Sequence, residues 1–114
     1  MNMNWDTLAR AIHATAEDKG FWEPTQRIQE QDAFIFYAKQ IAMIHSEATE
    51  VLEALRKDKG EEAIVEELCD IIIRVFDLWA GLDANGVTNV SLDQTMVKKM
   101  NINKDRERLH GVRG

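Results

Sequence analysis

The sequence predicts an all-α protein, a four-helix bundle-like single domain over residues 1–114 whose two middle helices form an antiparallel hairpin. Three observations predict it. One proline and six glycines leave little punctuation in 114 residues, which favours a few long helices over many short strands. Apolar residues recur every three or four positions through most of the chain. The breaks fall at the short stretches Lys19-Gly20, Asp58-Lys59-Gly60 and Asp83-Ala84-Asn85-Gly86, each with turn chemistry.

The first helix is expected over Asn4 to Asp18. Asn4 or Asp6 can cap it, and Leu8, Ile12 and Ala16, with Trp5 and Ala9, make an apolar stripe. The stretch Gly20 to Thr25 then reads as a loop, although Phe21 and Trp22 place aromatic rings where a loop is normally polar. These rings are either a plug on the end of the bundle or an aromatic wall for a planar ligand. The second helix is expected from Gln31 or Asp32 to about Lys57. Phe34, Ala38, Ile41, Ala48, Val51, Leu52 and Leu55 repeat at helical spacing, with Tyr37 and Ile44 on the same side. This stripe reads as the core face, with Glu47 and Glu50 at its edge. Gly60 is the expected left-handed residue closing that helix.

The third helix begins around Glu61, where two early acids suit the helix dipole. Ile64, Leu68, Ile71, Ile72, Val75, Leu78, Trp79 and Leu82 form its apolar stripe, and Glu67, Asp70, Arg74 and Asp77 an adjoining polar strip. The fourth helix starts at Ser91, where S-L-D-Q has the form of a capping box, and is expected to reach about Leu109. Its apolar face is weak: Leu92, Met96, Met100 and Val97. Lys99, Asn103 and Arg106 share another face.

Composition narrows the functions. The net charge of −6 argues against a general affinity for nucleic acid or for anionic membranes, both of which need a basic surface. A small anion can still bind where metal ions neutralise local acids. Cys69 is the only cysteine, so no intrachain disulfide forms. The start M-N-M-N-W-D has no basic segment followed by an apolar run, and no apolar run approaches a membrane span. A cytoplasmic location is the expectation.

Two acid pairs carry the chemistry: Glu47 with Glu50, and Glu67 with Asp70. Each is spaced i, i+3, so both carboxylates leave one helix face about a turn apart. With 20 acids in the chain, spacing alone says little. The surroundings say more. No base lies between Lys39 and Arg56, and Glu66, Glu67 and Asp70 have none before Arg74. Solvated faces normally alternate in sign, and like charges packed together repel unless a cation fills the space. An antiparallel hairpin would bring four carboxylates together, a donor set for a hard divalent cation. The alternative is a solvated acidic face. On the fourth helix, Lys99, Asn103 and Arg106 either bind phosphate oxygens or form salt bridges to the acidic helices. His45 would point to a different side from Glu47, His13 and His110 have no partners at metal-ligand spacing, and there is no zinc pattern, glycine-rich phosphate loop or nucleophile-elbow motif.

The run Ser46-Glu47-Ala48-Thr49-Glu50, a spacer of sixteen residues, and Glu67-Leu68-Cys69-Asp70 resemble the E-E-x-x-E…E-x-x-D pattern of the MazG-like group of all-α nucleoside triphosphate pyrophosphohydrolases. The wordings S-E-x-x-E-x-L-E-A-L-R, E-E-L-x-D-I-I-I-R-V-x-D-L and K-M-x-x-N-x-x-R-x-x-x-H-G, with K-G-F-W near the start, extend the resemblance over most of the chain. One position departs from the pattern: Ser46 stands where the family has its first glutamate, a neutral hydroxyl in place of a charged ligand.

The resemblance implies a MazG-type bundle with a catalytic helix hairpin, working as a homodimer or homotetramer. It implies Mg²⁺-dependent hydrolysis of a nucleoside triphosphate, deoxynucleotides included, to monophosphate and pyrophosphate, with Mn²⁺ as a substitute metal. Glu47, Glu50, Glu67 and Asp70 would be the metal ligands, and Glu47 or Glu50 the acceptor of a proton from the attacking water. Lys99, Asn103 and Arg106 would hold the leaving pyrophosphate, and Trp22 or Phe21 would stack on the base. Two other readings stand beside it: a hydrolase of another phosphoanhydride, such as phosphoribosyl-ATP, and a non-catalytic helical interaction module.

Overall fold

The computed structural model describes residues 4–22 and 30–106. These form four helices and no strand: α1 (Trp5–Asp18), α2 (Glu30–Arg56), α3 (Glu61–Ala84) and α4 (Leu92–Lys104). Residues 23–25 of the expected loop, and Leu109 with the tail beyond it, lie outside the described residues. The main packing is of α2 and of α1 against α3; α4 touches α1 more lightly. The α2–α3 connection is only four residues long, and at the opposite end Asn85 Nδ2 donates to Tyr37 Oη at 2.6 Å, so the two helices run antiparallel.

The helix ends follow capping chemistry. Asn4 Oδ1 accepts from the Thr7 N–H at 3.0 Å, and Ser91 Oγ from the Gln94 N–H at 3.1 Å. The N-termini of α1 and α4 also cap each other. Asp93 accepts from the Trp5 N–H at 2.7 Å, while Asp6 accepts from the Asp93 N–H at 2.9 Å. Each carboxylate thus sits at the positive end of the other helix.

Three helices close with the same pair of backbone bonds. At the end of α1, Gly20 N–H reaches Glu17 O and Phe21 N–H reaches Ala16 O; at the end of α3, Gly86 and Val87 repeat the pattern on Asp83 and Leu82. Both glycines have positive φ, as this C-terminal motif requires. At the end of α2 the left-handed residue is Asp58 (φ 53°), not Gly60 as the sequence reading expects. Asp58 N–H bonds Leu55 O and Lys59 N–H bonds Ala54 O. Aspartate tolerates this conformation better than most residues, which leaves Gly60 (φ 101°) to start α3 as its N-cap.

The fourth helix is shorter than expected. It ends at Lys104, and Asp105 and Arg106 turn back onto Asn101, Ile102 and Asn103 through their N–H groups. Arg106 therefore lies beyond the helical face it was expected to share with Lys99 and Asn103.

The core is small. Ala9, Phe76 and Ala80 form its buried centre, with Trp5, Ile12, Trp79 and Leu92 packed around it. Alanines at the α1–α3 crossing let the backbones approach closely. The apolar stripe expected to face the core on α2 largely does not: Phe34 is 75% exposed, Leu52 60% and Leu55 56%. On α3, Leu68 and Ile72 are also exposed. Of the expected side, Val51, Tyr37 and Ile44 are half-buried; they are joined by Phe36, Gln40, Met43, Glu47 and Ala54, again spaced by three or four. Both faces of α2 carry apolar residues at helical spacing, so the period predicts the helix without deciding which face turns to α3. The rotation carries Glu47 from the expected edge into the seam between α2 and α3.

Candidate metal and anion site

Glu47 on α2 meets Glu67 and Asp70 on α3, one carboxylate oxygen of each lying within 4.8 Å of the others. Glu47 and Glu67 are partly buried and Asp70 is exposed. Glu50 follows one turn later on α2 but is exposed and stands outside this group. Three of the four predicted ligands thus come together.

Loss of solvent around the Glu67 carboxyl raises its pKa above the ordinary glutamate value; the charges of Asp70, Glu50 and Glu47 push it the same way, against a lowering by Lys59. Arg74 partly offsets the repulsion. Its Nε donates to Glu47 Oε2 at 3.2 Å, and one terminal nitrogen lies 3.7 Å from Met43 Sδ.

A cavity of 340 Å³ opens beside these groups, between α1 and the α2–α3 seam. Glu47, Asp70 and Asp77 give it acid, Lys19 and Arg74 cations, and Phe21 an exposed aromatic ring. Lys19 and Phe21 line it because α1 ends at Asp18 and the turn at Gly20 carries the chain back toward α3.

Trp22 has a different place from Phe21. It is 6% exposed, and its Nε1 donates to both Asp77 oxygens at 2.9 Å. Its ring meets His13 and Phe36 edge-on, at centroid distances of 4.6 and 4.9 Å. His13 is 5% exposed, and its Nδ1 donates to Asp77 Oδ1 at 2.8 Å. Gly81 lies directly under the indole. Of the two roles read from the sequence for this ring, the structure gives Trp22 that of the plug, since a buried indole packed on both sides has no free face for a base.

Lys99, Asn103 and Arg106 are exposed on and just after α4, and none lines the cavity. Among the described residues their side chains make no hydrogen bond or ion pair, so the salt bridges to the acidic helices, the alternative reading of this strip, are not formed there.

Sequence reasoning missed the roles of Lys19, Arg74, Asp77 and His13. The polar strip Glu67-Asp70-Arg74-Asp77 was the available signal, because polar residues beside the apolar stripe of a packed helix need partners where they are buried. The partners themselves, 27 residues away for Arg74 and 64 for Asp77, were not available from spacing.

The donor set fits a hard divalent cation. It offers only carboxylate oxygens, and octahedral Mg²⁺ shells place ligand oxygens about 3 to 4 Å apart, which small side-chain adjustments reach from the observed spacing. Comparison with protein-family models, with curated proteins and with solved structures finds no match for the chain. The site is therefore read on its own chemistry. No helix among the described residues is long and apolar enough to cross a membrane.

Proposed function

We propose that the protein is a Mg²⁺-dependent hydrolase of nucleoside triphosphates, deoxynucleotides included, yielding the monophosphate and pyrophosphate. The observation that carries this reading is the meeting of Glu47, Glu67 and Asp70 in a helix seam beside a cavity that also holds cations and an aromatic ring. Turning charges toward a helix partner while leucines face water costs free energy.

Glu47, Glu67 and Asp70 would hold the metal, with Glu50 completing the set from the rim. A bound divalent cation supplies charge neutralisation of the triphosphate and a lowered pKa of coordinated water. Glu50, which Arg74 does not engage, takes the proton from the attacking water. The water oxygen bonds to the α-phosphorus, the bond from that phosphorus to the bridging oxygen breaks, and pyrophosphate leaves with the electron pair. Phe21 lines the cavity where an apolar base can lie against it.

The chain functions as a homodimer or homotetramer. Phe34, Ile35, Leu52, Leu55, Val65 and Ile72 are exposed on the long helices, and burying each fully would contribute about 1.5–3 kcal/mol. Light scattering that gives the 13.1 kDa monomer mass at working concentration would rule this out.

The test of activity is pyrophosphate release from a panel of nucleoside triphosphates with Mg²⁺, run beside Glu67→Gln and Asp70→Asn. Release by the natural chain and its loss in both folded variants is the expected result. Release from phosphoribosyl-ATP alone would move the reading to another anhydride. No release from any substrate would leave the exposed apolar faces as the function, in a helical interaction module.

A further inference from the structure

The cavity is lined by both acids and cations, and one residue links the two. Arg74 lines the cavity with Lys19, and its Nε is bonded to Glu47. Three carboxylates and one guanidinium leave two negative charges in the seam, the charge of one divalent cation. The guanidinium has five N–H donors in a planar fork. Among the described residues, only the Nε–H bond reaches an oxygen; the other contact is to a thioether sulfur, a weak acceptor. A fork with spare donors, facing a cavity beside a lysine, is suited to a phosphate group.

We propose that Arg74 is a charge-exchange residue. It neutralises Glu47 while the seam holds no cation, and pairs with the phosphate chain of the ligand, together with Lys19, once a divalent cation takes over the carboxylates. This rests on the metal-dependent reading above and adds to it the residues that hold phosphate within a single chain. Arg74 and the metal compete for the same negative charge, so metal alone binds against Arg74. Metal and phosphate together bind with it. The two ligands therefore reinforce each other through one side chain, as linkage requires.

The geometry makes two effects of opposite sign. By Coulomb's law, a unit positive charge held about 6 Å from a double one would, even at the dielectric constant of water, weaken binding of the latter about tenfold. Arg74→Gln should therefore bind Mn²⁺ alone about tenfold more tightly than the natural chain, while Mg²⁺-pyrophosphate binds about tenfold or more weakly, as expected for a lost charged hydrogen bond. Titration calorimetry with each probe reads both. Arg74→Lys keeps the charge and loses the fork, so its Mn²⁺ affinity should stay within about twofold while pyrophosphate weakens severalfold. It also serves as the test if Arg74→Gln fails to fold.

Weaker binding of both probes by folded Arg74→Gln would assign the residue a merely structural role and overturn the proposal. Tighter Mn²⁺ binding with unchanged pyrophosphate affinity would overturn its phosphate half. Opposed shifts in a protein that hydrolyses no triphosphate would uphold Arg74 and sink the hydrolase reading, and absence of Mn²⁺ binding to the natural chain would sink both.

Discussion

Gly81→Ala tests the plug directly. A Cβ built at Gly81 runs into Trp22 Cη2 and lies 2.6 Å from Cζ3 and 2.7 Å from Cζ2. These are ring atoms of a buried side chain, so relief requires the whole indole to move. Such overpacking typically costs about 1–3 kcal/mol. Movement of the ring also stretches the Nε1 bonds to Asp77, and a hydrogen bond to a charged group contributes about 1.5–3 kcal/mol. Against this, alanine is favoured over glycine in a helix by about 1 kcal/mol. The net expectation is a destabilisation of about 2–4 kcal/mol, or a fall in Tm of roughly 8–16 °C at about 4 °C per kcal/mol for a chain of this size. Thermal unfolding followed by circular dichroism measures it. The decisive comparison is the same substitution in a Trp22→Ala background. There the clash is gone and only helix propensity remains, so Gly81→Ala should become stabilising by about 0.5–1 kcal/mol. A single variant as stable as the natural chain, or a double variant in which the alanine still destabilises, would refute the packing argument.

Three further outcomes follow from the same structure. Without metal, Glu67 has a raised folded-state pKa, so its favourable contribution is present below the ordinary glutamate pKa and is lost as pH rises through the folded value. Glu67→Gln in chelator should therefore melt above the natural chain at pH 7, with the gap narrowing toward pH 4, and Mg²⁺ should raise the Tm of the natural chain more than that of the variant. Asp58 holds a left-handed conformation at the end of α2, so Asp58→Gly should raise the urea midpoint by the equivalent of about 0.5–1 kcal/mol with an unchanged m-value. Leu52 is 60% exposed on the outer face of α2, so Leu52→Glu should leave the helical spectrum of a single chain intact and reduce the mass measured by light scattering toward that of a monomer.

The residue periods made the four helices legible, and together with the scarcity of proline and glycine they set the all-α class. Helix and breaker signals are local: each needs only a few neighbouring side chains and the backbone between them. Asn4, Ser91, Gly20 and Gly86 perform at helix ends the roles their types suggest. The exceptions were also local but nearly degenerate. Asp58 took the left-handed position two residues before the expected glycine, and α4 closed at Lys104.

The acid pairs were visible as candidates because four carboxylates without interleaved bases are electrostatically unusual. Which of them meet was a matter of tertiary structure. The sequence by itself determined that there are four helices, roughly where they lie, and which residue types were available for a metal and an anion. Only the packing decided that Glu47 faces α3 while Leu52 faces outward, that Trp22 is buried on Asp77 and Gly81 while Phe21 stays on the cavity rim, and that Arg74 rather than the α4 strip stands beside the acids. The physical reason is that α2 has apolar residues on more than one face. Its rotation is then set by side chains up to 48 positions apart, through contacts that no local spacing encodes.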